Sequence, residues 1–506
     1  MHEHAPTAPA APRDATATGL TPRDRLAVTL LLVSTFVVIL NETIMGVALP
    51  RLMSDLRIDA STGQWLTTAF LLTMAVVIPV TGFLLKRLPT RTVFLVAMSL
   101  FSLGTAVCAV APGFPVLLVG RVVQAGGTAI MLPLLMTTVL TVTPPAARGR
   151  TMGNISVVIS VAPALGPTIS GLILSVLSWR WMFGLVLPIA VAALVLGALR
   201  MPNVSETGHA RVDVLSVVLS ALAFGPLVFW LSSLGEGGGT AAWAAFAVGA
   251  VAMVAFVLRQ LRLQRTAEPL LDLRVLAVPN FRIGTLLMAV MMMCLFGTII
   301  LFPIYAQQVL GASTLTTGLV LLPGGLLMGL LAPTVGRVYD RVGPRPLLVP
   351  GALVVSAALW GTTLLGEDGA LWQMLVVHVL LSAGLALVFT PLFTSSLGAL
   401  PAPRYASGSA VVSTVQQVAG AAGTALFVSV LAARSTSLAG DGASELGALA
   451  GGIHAALLVG AVISLLAAPV AFFVRPVPPG ADPVTRSNND TKGVVALQTD
   501  EPIRLH

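Results

Sequence analysis

About fourteen stretches of roughly 20 apolar residues follow one another along this chain, and a helix of that length crosses the hydrocarbon of a bilayer. They begin near Leu26, Gln64, Thr92, Pro115, Met152, Trp181, Val212, Ala241, Arg282, Leu315, Leu347, Leu371, Ala406 and Gly451. Backbone groups in lipid must be satisfied within the protein, so the spans are helices or strands of a closed barrel. Continuous apolar runs, rather than ten-residue alternation, decide for helices. With 56% hydrophobic and 9% charged residues, the 506-residue chain cannot assemble an ordinary water-facing surface. The expected fold class is an all-α polytopic membrane protein.

Orientation follows from the arginines. If the N-terminus is cytoplasmic, the inner loops hold Lys86, Arg87 and Arg91, then Arg148 and Arg150, Arg200 and Arg211, Arg259 to Arg274, and Arg337, Arg341 and Arg345. The outer loops hold only Arg51, Arg57, Arg180 and Arg434. This is the positive-inside bias, and it accounts for the net charge of +8 without a nucleic-acid partner. An even number of spans returns the C-terminus to the cytoplasm. Residues 1–25 are Ala-, Pro- and Thr-rich with no cleavable apolar core, and 476–506 are polar, so both are expected to be disordered cytoplasmic segments. Cys108 and Cys294 lie inside apolar runs, where free thiols pack as small hydrophobes, and no disulfide is expected.

Glu42 is the only carboxylate well inside a long apolar segment. A charge near the bilayer centre costs at least about 2.5 kcal/mol, so such an acid is tolerated when it faces a partner, a wet cavity or a proton it can accept. It reads as the proton switch of a transporter. Arg121 lies at a similar depth, roughly 9 Å from the outer end of its helix against roughly 12 Å for Glu42 at ~1.5 Å per residue. A charge pair is therefore feasible. Either protonation moves with the wetting of the site, or the pair is static and only holds two helices together.

An internal repeat organises the chain. Gly82-Phe-Leu-Leu-Lys86-Arg87-Leu-Pro89-Thr-Arg91 recurs as Gly336-Arg-Val-Tyr-Asp340-Arg341-Val-Gly343-Pro-Arg345, an offset of 336 − 82 = 254 residues. The expected organisation is two six-helix halves, 26–200 and 280–475, with two additional helices in 201–279. Parallel repeats of this kind place a substrate site between the halves, and rocking about it gives alternating access.

The second of these loops matches the pattern Gly-x-x-x-Asp-Arg-x-Gly-x-Arg and resembles the inner-loop signature of the major facilitator superfamily. The first departs, with Lys86 at the acid position and Pro89 at the second glycine. The resemblance implies a conformational gate built from Gly82, Arg87, Arg91, Gly336, Asp340, Arg341 and Arg345; a basic loop that only sets topology is the alternative.

Further stretches resemble the fourteen-helix drug:proton antiporter branch. Ala164-Leu-Gly166-Pro167-Thr-Ile-Ser170-Gly171 is similar to its antiporter motif, in which proline weakens the helical ladder and glycine permits close approach. Trp179-Arg180-Trp181-Met182-Phe183 is similar to its outer turn, and Arg121-Val-Val-Gln124-Ala-Gly126-Gly127 to its embedded arginine motif. Asn41-Glu42 carries the acid one residue beyond its usual place in the branch, about 100° around the helix, and resembles the lincomycin-type exporters within it.

The resemblance implies proton-coupled efflux of hydrophobic, often cationic drugs or antibiotics from a bacterium. The protein would be an inner-membrane monomer driven by the proton gradient, with no cofactor. Its partners would be a drug-like molecule, protons and lipid. A dedicated exporter of one endogenous metabolite and a nutrient symporter are the alternatives. Asn41, Gln64, Trp65, Gln124, Phe302, Tyr305, Gln307 and Gln416 are candidate cavity residues, although each also suits packing or interhelical hydrogen bonding. His378 aligns with Gln124 in the repeat and is either a second proton or substrate site or a neutral, hydrogen-bonded histidine. Neither a phosphate loop ending in Lys-Ser or Lys-Thr nor a metal-spaced Cys/His cluster occurs, so an enzyme is not expected.

Overall fold

The computed structural model describes residues 20–58, 60–204, 213–234, 239–266, 269–367 and 369–476. Among them, fourteen spans are long and apolar enough to cross a membrane. The first six come from α1 (Pro22–Leu56), α2 (Ala60–Arg87), α3 (Thr90–Ala109), α4 (Phe114–Val142), α5 (Arg148–Val176) and the broken pair α6 (Arg180–Gly184) and α7 (Val186–Arg200). The two additional spans are α8 (Val214–Leu234) and α9 (Thr240–Thr266). The remaining six are α10 (Pro279–Ile304), α11 (Thr314–Val342), α12 (Arg345–Thr362), α13 (Leu371–Gly398), α14 (Tyr405–Gly440) and the pair α15 (Glu445–Ser464) and α16 (Ala467–Phe472). Large apolar side chains point outward all around this bundle, Val110, Val251 and Leu330 among them. A bilayer, not water, matches such a surface.

Local chemistry sets the helix ends. Thr21 caps α1 by accepting from the Asp24 amide, and Pro22 fills the first turn, where its missing N–H costs nothing. The helix then runs past residue 50, where the apolar run stops, and ends only at Arg57, whose φ of 53° turns the chain left-handed. Ser313 likewise caps α11 through the Thr316 amide. At the other end of α11, Gly343 takes a φ of 78°, which its missing Cβ permits.

The two halves meet along two seams, α5 against α11 and α2 against α14. The additional pair is not a detached appendix: α8 packs on both α2 and α14 and so covers the second seam. Trp65 of α2 stacks on Phe229 of α8, ring centroids 6.0 Å apart. The first and last described residues and the arginine-rich loops share one end of the bundle, called the basic end below; Arg345 and Val474 meet there, as do Arg23 and Asn203.

Candidate functional site

The acid of α1 sits where α1 crosses α5. The Thr43 hydroxyl donates to Leu40 O at 2.9 Å and lies 3.5 Å from Ala162 O of α5. Gly166 faces that hydroxyl so closely that a Cβ at residue 166 would overlap it. Glycine is thus what lets α1 and α5 approach at the turn that carries Asn41 and Glu42. Glu42 is half-buried, and Asn41 is buried with its Oδ1 lacking a hydrogen-bond partner. Gly171, the second glycine of the segment, has open space where a Cβ would stand, so it plays no part in that close packing. Ser170 between them is buried against Met182. The side chains of Gln64 and Pro167 lie outside the described residues.

Arg121 is 1% exposed. Its Nη1 donates to Gln124 Oε1 at 2.7 Å, Gln124 Nε2 donates to Thr105 Oγ1 at 2.7 Å, and its guanidinium lies 4.0 Å above the Phe70 ring. No ion pair within 4 Å joins Arg121 to Glu42, which differs from the direct pair their depths suggest. Gln124, one turn along the same helix, and the face of Phe70 take the guanidinium first. The Nε of Arg121 keeps no partner. The sequence gives no signal for Phe70 or Thr105, since neither belongs to a motif. Only the fold brings α2 and α3 to this arginine.

In the second half, His378 Nε2 is 3.0 Å from Leu321 O, its Nδ1 is buried without a partner, and Phe302 meets its ring edge-on at 5.7 Å. Tyr305 is buried and donates to Gly366 O at 2.8 Å, while Gln307 is exposed. Gln416 is buried with Oε1 unpartnered, and its neighbour Gln417 reaches across the seam to Met74 Sδ at 3.4 Å. Trp65 is 44% exposed and engages α8, so it serves the contact with the additional helices rather than a space between the halves.

At the basic end, Asp340 of α11 accepts from the amides of Gly149 at 2.7 Å and Arg150 at 2.9 Å. Those amides open α5, where unpaired N–H groups and the helix dipole favour an anion. Gly336 and Gly149 touch so closely that a Cβ on either would overlap the other helix. Arg148 donates to the Tyr405 hydroxyl at 2.8 Å, and Thr390 to Ser156 at 2.9 Å, joining the halves further. On the other seam, a Cβ at Gly82 would stand 3.1 Å from Ala410 Cβ.

Two of the loop arginines bind within their own half. Arg91 donates to Ala198 O and Asn203, and Arg345 to Val474 O at 3.0 Å. Each ties its loop to the last helix of its own half or the residues just after it, in matching places of the repeat. Arg87 and Arg341 are exposed at the same end.

A bundle of two related six-helix halves with an acid and an arginine embedded in the first defines a membrane transporter. The sequence pattern of the Major Facilitator Superfamily matches residues 31–424, and the chain belongs to that family. It is 39% identical over 452 residues to the lincomycin resistance protein LmrB of Bacillus subtilis, covering 88% of this chain and 94% of that one. A multidrug resistance protein B homolog of Mycobacterium tuberculosis is 29% identical over 403 residues, 76% of this chain and 72% of its own. Among solved structures, the human organic anion transporter MFSD10 superposes with a TM-score of 0.62 at 17% identity over 89% of this chain and all of that one. The proton:xylose symporter XylE superposes with a TM-score of 0.61 at 16% identity over 90% and 96%. These two likenesses concern the fold.

Proposed function

We propose that the chain exports hydrophobic, often cationic drugs or antibiotics from a bacterial cell in exchange for protons, with Glu42 carrying the proton. The observation that carries this reading is the placement of Glu42: an acid on α1, at the α1–α5 crossing that Gly166 makes close, on a helix that also packs against α4 with its buried arginine, to which no carboxylate is bound. Two relatives named for lincomycin and multidrug resistance support the cargo class.

In the proposed cycle, substrate enters between the halves while Glu42 is ionised. A proton arriving from outside neutralises the acid and loosens its attraction to Arg121 and to a cationic substrate, which leaves. The neutral acid crosses back more cheaply than a charge would. The unpartnered oxygens of Asn41 and Gln416 are acceptors for N–H or O–H groups of a substrate, and His378, with Nδ1 free, is a second proton site. The arginine bias puts the basic end in the cytoplasm, with both termini there and the protein in the inner membrane. Asp340 then latches the cytoplasmic ends together in the outward-facing state. Bundles 26–200 and 280–475 rock about the site, and a monomer suffices with the proton gradient as sole energy source.

Expression in an efflux-deficient host, with resistance profiled across lincosamides, macrolides and cationic dyes, tests the cargo. Raised resistance to several compounds, lost when the gradient is collapsed, supports this reading. Resistance confined to one compound would favour a dedicated exporter, and inward flux of labelled solute a symporter.

A further inference from the structure

The repeat gives the basic end two corresponding sites, and only one has the expected acid. Asp340 at the end of α11 binds the head of α5 through the amides of Gly149 and Arg150. Moving back 254 residues from Asp340 gives Lys86 on α2, and the head of α14 is the counterpart of the head of α5, each helix being entered through a short turn, 145–147 before α5 and 402–404 before α14. The second site thus has no carboxylate on α2.

A carboxylate is present at the head of α14, however, and it comes from elsewhere. Asp272, in the connector after α9, is 3% exposed and lies 3.5 Å from Arg404 Nε. Its amide donates to the Ser407 hydroxyl of α14 at 3.4 Å, and its carboxylate holds Arg274 through two bonds of 2.8 and 3.0 Å. Burial works against this charge, but the bonds from Arg274 and the nearness of Arg404 outweigh it and hold the carboxyl below its ordinary range. A buried carboxylate with two guanidinium partners is a built feature, since an unpaired one would be costly.

The connector is in turn fixed to the additional helices. The Leu271 amide donates to Gln260 Oε1 at 3.2 Å, Gln260 Nε2 donates to Ser216 of α8 at 2.8 Å, and Arg259 pairs with Asp213 at 2.7 Å. The far part of α8 stacks on α2 through Phe229 and Trp65. A continuous path of contacts therefore runs from the head of α14, through Asp272 and the additional pair, to α2 in the other half.

We propose that Asp272 is the acid of the second basic-end latch, doing at the head of α14 what Asp340 does at the head of α5, with α8 and α9 as the arm that ties it to α2. The additional helices then serve the conformational cycle by holding the α2–α14 seam closed. This rests on the alternating-access reading above.

Hydrogen–deuterium exchange of the full chain in lipid nanodiscs, without substrate or gradient, tests it. Asp272→Asn is expected to speed exchange at least fivefold in 405–412 and in 80–87, while 148–153 stays as in wild type. Asp340→Asn is expected to give the opposite pattern. Arg404→Gln removes the other partner, leaves the Asp272–Arg274 pair intact, and is expected to reproduce the Asp272→Asn pattern should that variant not fold. Faster exchange confined to 269–277, or none, would show a local anchor and overturn the latch. Because this readout needs no transport, a chain that exports no tested compound would refute the efflux reading while leaving the latch decided.

Discussion

Gly166 of α5 and Thr43 of α1 meet with no room for a methyl group between them. The contact sets the distance between the two helices one residue from Glu42, so a substitution there acts on the acid without touching it. Gly166→Ala should push α1 away from α5 and cut efflux at least tenfold with membrane expression retained. Gly171→Ala, which meets open space, should stay within about twofold of wild type. Dye efflux from energised cells, normalised to protein in the membrane, measures both.

Arg121 is held by Gln124 and by the face of Phe70, a combination of in-plane hydrogen bonding and stacking that a lysine ammonium cannot reproduce. Arg121→Lys should therefore lose at least tenfold in efflux although the positive charge is kept. If the charge alone matters, the variant will work nearly as well as wild type in the same assay.

Asp340 joins the end of α11 to the head of α5 through two amides, and the proposed cycle uses that contact to close the basic end. Asp340→Ala should weaken that closure and lower efflux several-fold. A cysteine placed at Ser156, buried against Thr390 between the halves, should then react with a maleimide from the basic end faster than in the parent. Equal reaction rates would mean that the other contacts suffice.

The Asp213–Arg259 pair predicts a specific pH response. The bond from Arg259 holds the Asp213 carboxyl at about 2, below the ~3.9 of a free aspartate. A depressed folded value means that the stabilisation is complete above the unfolded value and is lost as pH falls toward 2. Asp213→Asn should lower the Tm measured by intrinsic fluorescence equally at pH 5, 6, 7 and 8. The difference should shrink below about pH 4. A difference that changes between pH 5 and 8 would contradict the assignment.

The number of spans is legible in the sequence because apolar length depends on the bilayer alone, and the two-half plan because the inner-loop pattern of Gly82–Arg91 recurs at Gly336–Arg345. The site is legible only in part. Glu42 and Arg121 stand out as charges in apolar runs, and equal depth made a pair plausible. Which neighbour takes the guanidinium depended on Phe70 and Thr105, brought in from two other helices. Trp65 shows the same limit: an aromatic near a helix end suits a cavity, an interface or a neighbouring helix, and its partner Phe229 lies 164 residues away. Asp272 belongs to no motif, and its meaning emerges only when the head of α14 is compared with the head of α5.

The central claim is that Glu42 carries the coupling proton. Its most direct test is proton release on substrate addition to the purified protein in lightly buffered detergent, wild type beside Glu42→Gln, with substrate binding measured in parallel. The account predicts release from wild type and none from the variant while binding is retained. Equal release from both would contradict it and move the proton to another group, His378 first.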